Sequence, residues 1–231
     1  MAWARNRHTL GALAFILAGV VYVVTEAIAA AAWTNPRYSY LYNYISDLGV
    51  PDPQTYDGRV VNSPLAWVMN TGFILEGVLF VVGAVLLADL FVGLRRHLFV
   101  AFAVLHGIGI VLVGFVHEAA DAGLVHFGGA VASILFGNLT AVLVGVSWRR
   151  LGLPGWFGIL CIVLPVLGLA SEGVLVLGVF GSQFDGLWER GGVYSITIFE
   201  IGLGILVLSL SRFRRGLPGR GSVKTPPARP E

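Results

Sequence analysis

The sequence predicts an all-α polytopic membrane protein: a six-helix bundle with both termini in the cytoplasm. Three observations carry this expectation. The 231 residues are 56% hydrophobic and 12% charged, with mean hydropathy +0.81, whereas a soluble domain carries about 25% charged residues. Six apolar runs approach the length of about 20 residues that a helix needs to cross a bilayer core. Twelve of the fifteen Lys and Arg fall on one side of those runs, the asymmetry that places loops in the cytoplasm.

The runs occupy 10–32, 65–87, 98–116, 127–148, 156–181 and 191–210, and no period-two alternation competes with them. Arg5 and Arg7 precede span 1, Arg95 and Arg96 part spans 2 and 3, and Arg149 and Arg150 part spans 4 and 5. Six more basic residues follow span 6. Arg5 and Arg7 before an apolar run ending in "AIAAAAW" also suit a secretory signal. That run exceeds the signal core of about 7–15 residues and contains Glu26, so a retained span is expected. One domain is expected over 1–211, and a disordered basic tail resting on anionic lipid over 212–231. The plasma membrane is the expected location. The single cysteine, Cys161, excludes an internal disulfide and is expected to fill space in a helix.

Span 4 carries Gly129, Ser133, Gly137, Ala141 and Gly145 at four-residue spacing, a small-residue ladder that lets a neighbouring backbone approach. Asn138 lies beside that seam. "NLT" at 138–140 matches a glycosylation sequon by pattern only, because it falls inside a span. In span 5, Pro165 removes a backbone donor two turns before Glu172, so a bend is expected there.

The three outer loops gather ionisable groups. Loop 1, 33–64, holds Asp47, Asp52, Asp57 and Arg59 with Trp33 and five tyrosines, side chains that favour the membrane interface. Its "NYISDLG", 43–49, interrupts a greasy chain with polar residues. Asn43, Ser46 and Asp47 are good turn and cap residues, and Gly49 tolerates a positive φ. Loop 2 is "VHEAADAGLVH", with His117, Glu118, Asp121 and His126; loop 3 is "SQFDGLWERGG", with Asp185, Glu189 and Arg190. The expected pocket is outward-facing, roofed by loop 1, with Asp47 aimed at its mouth and Asn43, Ser46, Glu118, His126, Asn138, Glu189 and Arg190 around it. Arg190 suits a phosphate clamp or a pairing with Asp47.

Within the spans lie Glu26, Glu76, His106, Glu172 and Glu200. A charge at mid-bilayer costs about 2.5–3.5 kcal/mol on insertion scales, so these are expected to face the bundle interior. His106 and His117 share one helix face about 16 Å apart, too far for one metal ion.

Several stretches together resemble a family of bacterial six-span membrane proteins catalogued as domain of unknown function 998. They are "NYISDLG", "NSPLAWVMNTGFILEG", "GIVLVGFVHE", "HFGGAVASILFGN" and "GLWERGGVYSI". Asn43, Ser46, Asp47, Gly49, Asn70, Glu118, His126, Asn138, Glu189 and Arg190 fall on these motifs; His117 stands where the family usually has Pro. The resemblance implies a fold and topology and no reaction. "YISD" with a following Gly is also similar to eukaryotic six-span proteins of the Frag/DRAM/Sfk type, some of which act in lipid remodelling of membrane anchors.

Three function classes follow. The first is a protein that binds a lipid headgroup, small molecule or partner in the outer pocket, with membrane lipid around it and a homo-oligomer compatible with the ladder. The second is a lipid-acting hydrolase or acyltransferase, with Ser46 as nucleophile and His126 as base, or with zinc on His117, His126 and Asp47 or Asp121. It lacks G-x-S-x-G and H-E-x-x-H. The third is a small proton-coupled transporter using the intramembrane acids. No nucleotide or nucleic-acid motif is present, and no cofactor is expected.

Overall fold

The computed structural model describes residues 2–216 apart from 57 and 181. Six helices form in chain order: α1 (Ala2–Ala32), α2 (Ala66–Leu87), α3 (Leu94–Phe115), α4 (Gly123–Leu151), α5 (Gly155–Val176) and α6 (Asp185–Gly216). Each includes a stretch long and apolar enough to cross a membrane. Consecutive helices pack side by side, α6 closes against α1, and α4 also touches α6. With six passes, both ends of the chain leave the same end of the bundle, here termed the terminal end. The opposite end carries the long loop between α1 and α2.

Aromatic side chains build the core at the terminal end. Phe15, Phe80, Phe99, Phe157 and Phe199 are buried there, and Phe15 and Phe80 meet edge to face at 5.0 Å, a favoured ring geometry. A second core under the long loop gathers Trp33, Tyr38, Ile45, Leu48, Met69 and Phe73. The small-residue ladder of α4 works on several neighbours. A Cβ on Gly129 would lie 2.8 Å from the Gly109 carbonyl of α3, and one on Gly145 would lie 3.0 Å from the Gly158 carbonyl of α5.

Helix ends differ from the expected ones where polar residues find partners. α6 begins at Asp185 rather than 191, so Glu189 and Arg190 ride on a helix. Asp185 in its first turn suits the positive end of the helix dipole, and the Leu187 N–H donates to the Leu41 carbonyl at 3.2 Å. α4 begins at Gly123, which puts His126 in its first turn. α5 stops at Val176 rather than 181 and runs through Pro165 as one element. The expected tail begins at 212, but α6 is helical to Gly216; positions 217–231 lie outside the described residues.

The long loop is an ordered roof. A 3-10 turn spans Ser46–Gly49. β1 (Gln54–Tyr56) pairs antiparallel with β2 (Arg59–Val61), Tyr56 opposite Arg59. Side chains alternate along a strand, so β2 turns Arg59 and Val61 inward and leaves Val60 exposed. Gly49 does not adopt the positive φ expected of it. Its missing Cβ instead makes room for the Asn70 side chain, which a Cβ there would strike.

Candidate functional site

"NYISDLG" is held at every residue, each time by a different side chain. Arg190 Nη1 donates to the Asn43 carbonyl at 3.0 Å. The Tyr44 hydroxyl donates to Asp185 at 3.1 Å, and the Ile45 N–H donates to Glu189 Oε2. The Ser46 hydroxyl donates to Glu118 Oε2 at 2.9 Å. Asp47 Oδ1 lies 3.4 Å from Arg59 Nη2. The carbonyls of Leu48 and Gly49 accept from Ser63 Oγ at 2.7 Å and Asn70 Nδ2 at 2.9 Å. A buried loop must pair its backbone polar groups, and these bonds do so.

Two buried arginines organise the polar groups. Arg190 of α6 pairs with Glu26 of α1, its Nε and Nη2 donating to Oε1 at 3.1 and 2.9 Å. Its Nη1 faces the carbonyls of Tyr40, Asn43 and Gly186 at 2.8, 3.0 and 2.7 Å, and Nη2 also donates to the Tyr38 hydroxyl. The Tyr194 hydroxyl donates to Glu26 Oε2 at 2.8 Å. All three donor nitrogens of the fork are engaged within the protein. Arg190 therefore pairs with Glu26 rather than Asp47, and it offers no donor to a phosphate in this arrangement.

Arg59 is the second centre. It is 1% exposed, lies 3.4 Å from Asp47 and 4.0 Å from Glu118 Oε1, and stacks 4.0 Å over the Tyr44 ring, within cation–π range. Burial opposes its charge, but Asp47 and Glu118 outweigh that and hold its pKa above the ordinary value. Burial, and then the neighbouring Asp47 carboxyl, pushes Glu118 well above the usual carboxylate range. Asp47 also accepts from Asn43 Nδ2 and the Tyr44 N–H, both at 3.0 Å. Burial raises the Tyr44 phenol too, with Asp185 adding to the effect.

Beside this centre lies a cavity of about 270 Å³ between the loop, α4, α5 and α6. Ser46, Arg59, Glu118, His126, Glu172 and Glu189 supply its polar wall, with Tyr44 and Tyr56 beside them. Phe127, Ala130, Val131, Ile134, Leu175 and Val176 supply the apolar wall. Phe127 and Val176 are 55% and 58% exposed, so the rim reaches the outer surface of the bundle. The His126 Nδ1 lies 2.6 Å from the Val116 carbonyl. That oxygen can only accept, so Nδ1 carries the proton and Nε2 is the acceptor nitrogen.

Of the expected pocket residues, the structure brings Ser46, Glu118, His126 and Glu189 to one cavity and adds Glu172 from the intramembrane set. Asn43, Asp47 and Arg190 do not line it but are buried behind its wall, and Asp47 is 0% exposed rather than aimed at the mouth. Asn138 sits between α4 and α6, donating to Gly192 at 3.0 Å and accepting from Ser195 at 2.6 Å. Ser46 gives its hydroxyl to Glu118, not to His126, so the nucleophile–base pair of a serine hydrolase is not assembled. Among the described residues, His117, Asp121 and His126 belong to no group of three placed to hold a metal ion.

In the sequence Arg59 is one loop charge among several, Phe127 carries no mark of a role, and Tyr44 and Tyr56 suit the membrane interface rather than a cavity wall. The alternation in "RVV" was the available signal, too short to stand out.

Deeper in the bundle, His106 of α3 joins Glu76 of α2, Nε2 to Oε1 at 2.9 Å, and the Ser133 carbonyl of α4, Nδ1 to O at 2.8 Å. Glu200 of α6 is 0% exposed. Glu26, Glu76, His106 and Glu200 are all buried within the bundle.

No curated protein and no solved structure matches the chain. The model of a family described as protein of unknown function (DUF998) matches residues 16–206, most of the chain and all six helices in part, and the protein belongs to that family.

Proposed function

We propose that this is a plasma-membrane protein, its termini in the cytoplasm and its long loop outside, that binds an amphipathic ligand of the lipid-headgroup class in the outward cavity. One observation carries the reading: a polar wall of Ser46, Glu118, His126, Glu172 and Glu189 faces an apolar wall of α4 and α5 across a single space of about 270 Å³. Ligand sites combine apolar lining with a few convergent polar groups, in volumes of about 300–1,000 Å³. A cavity just below that range accepts a headgroup rather than a whole lipid. The exposed Phe127 and Val176 at the rim then let the acyl chains remain in the membrane.

The charge bias supports the outward orientation. The helix ends at the terminal end carry Arg95, Arg96, Arg149 and Arg150, and basic residues at span ends mark the cytoplasmic side. The buried arginines at the other end are neutralised by Glu26 and Asp47.

The test is mass spectrometry of the protein extracted in native membrane discs. The expected result is a retained lipid class that is depleted in Val131→Trp, which fills the space from α4, while the variant still elutes as folded protein. Wild type that retains no lipid class above the bulk membrane composition overturns the reading, as does equal retention by Val131→Trp.

A further inference from the structure

Beyond the outward cavity, we infer a second site: Glu76, His106 and Glu200 form an intramembrane proton-binding site, reached from the loop end of the bundle past Ile134. Neither carboxyl oxygen of Glu200 has a hydrogen-bond partner among the described residues, and neither does Glu76 Oε2. Glu200 is 0% and Glu76 3% exposed. An isolated carboxylate in such a setting is very costly unless it is paired or neutralised. Two carboxyls that share a site do not both ionise readily, so one keeps a proton.

The groups facing this pair leave a proton as the fitting occupant. α1 presents Tyr22, α2 Glu76, α3 His106, and α6 Glu200 and Thr197; α4 presents the Ser133 carbonyl and the backbone of Gly137. No titratable group of α5 lines this space, and among the described residues neither does any arginine or lysine. The Ser133 carbonyl fixes a proton on His106 Nδ1. The 2.9 Å bond from Nε2 to Glu76 therefore forms in two ways: a carboxylic acid donating to neutral imidazole, or imidazolium donating to carboxylate. The same geometry serves before and after a proton moves between them. Glu200 Oε1 packs where a Cβ on Gly19 would come within 2.9 Å, so glycine on α1 makes the space for this acid.

Access is visible in the cavities. A void of about 20 Å³ is lined by Tyr22, Glu76, His106, Ser133, Ile134 and Thr197 among others, and a cavity of about 10–15 Å³ suffices for one water. Ile134 also lines the outward cavity. Ile134 is therefore shared by that cavity and a water-sized void that touches Glu76 and His106. On the terminal side the Phe80 ring lies 4.2 Å from the His106 ring and packs in turn on Phe15 and Phe199, an apolar layer facing away from the outward cavity.

The test uses a hydrophobic carbodiimide, which reacts with protonated carboxyls in membranes. Full-length protein in vesicles, loop end outward, is labelled across a range of external pH, and adducts are mapped by mass spectrometry. The expected result is an adduct on Glu76 or Glu200 near neutral pH, its rate falling about tenfold per unit above a midpoint set by external pH. Glu200→Gln removes the like charge beside Glu76 and lowers the pH at which Glu76 stops reacting. Infrared spectra of wild type minus Glu200→Gln should show a buried carboxylic acid band in the wild type.

Absence of both adduct and band overturns the inference, and so does labelling that ignores external pH. Suppression by sodium at fixed pH would assign the site to a metal cation and overturn it equally. If Glu200→Gln does not fold, the wild-type titration alone decides. Neither readout depends on the outward cavity holding a lipid.

Discussion

Arg190→Ala should be among the most destabilising substitutions in this protein. Arg190 and Glu26 are 5% and 2% exposed, and breaking a buried pair by removing one partner costs about 3–5 kcal/mol. The variant also strips a donor from the carbonyls of Tyr40, Asn43 and Gly186. A buried group left unsatisfied costs about 1–3 kcal/mol. Water entering the vacated space offsets part of that, and Glu26 keeps the Tyr194 hydroxyl. A net loss of about 4 kcal/mol is the working figure, dominated by the orphaned carboxyl.

Unfolding in mixed micelles gives the free energy, and hydrogen exchange over 40–45 shows whether the loop loosens. Two companions sharpen the result. Arg190→Lys keeps the charge and loses the fork, so it should fall between wild type and alanine. Arg190→Met with Glu26→Gln removes both charges and should cost less than the two single changes together. An Arg190→Ala protein within about 1 kcal/mol of wild type, the scale of an exposed ion pair, with unchanged exchange in the loop, would refute the reasoning.

Three further outcomes are expected. Glu118 has a raised pKa in the folded protein, so the native state holds a proton that the unfolded chain releases. Its contribution to stability is present at low pH and fades as pH rises through the folded value; thermal unfolding across pH should therefore flatten in Glu118→Gln relative to wild type. Gly186→Ala places a Cβ onto the Asn43 carbonyl and 2.9 Å from Arg190 Nη1. Backbone cannot swing aside, so a loss of about 1–3 kcal/mol is expected from overpacking, measured by the same unfolding assay. A cysteine at exposed position 121 should react with an impermeant maleimide added outside intact cells and one at position 96 should not; the reverse pattern would invert the proposed orientation.

What the sequence could reveal depended on the range of the interaction. The helices were legible because hydropathy is summed over about 20 residues and needs no partner. Their ends were less so. "DGLWER" looks like a loop, yet it is the first turn and a half of α6, because Asp185, Glu189 and Arg190 each bind the roof rather than water. The turn character of the stretch was also legible, and Asp47 does accept the Tyr44 N–H, although the 3-10 turn itself starts from Ile45 without a side-chain cap.

Its ion partner was not legible. Arg59 is 12 residues away in sequence and turns inward only because a three-residue strand sets its direction. Arg190 meets Glu26 across 164 positions. Pairing over such distances is a property of the closed ring, where α6 returns to α1, and a single chain read from end to end carries no mark of it.

The two arginines explain why an acid and a glycine interrupt this greasy chain. Irregular backbone buried against a membrane bundle has to satisfy its carbonyls within the protein. A helix cannot supply those donors from its own backbone, since its N–H groups are spent on itself except in the first turn. Side chains must supply them, and a guanidinium offers five donors in a fixed fork. Arg190 spends its fork on loop carbonyls and so requires Glu26 to balance its charge. Arg59 props Asp47 from the other side and takes its counter-charge from that residue, with Glu118 Oε1 4.0 Å away. Gly49 is small so that Asn70 can reach its carbonyl. Replacing Asp47 with Asn would leave the loop's shape possible but strand Arg59 beside a protonated Glu118. The roof over the cavity would then carry an uncompensated positive charge, and anionic ligands should gain affinity there as the fold loses stability.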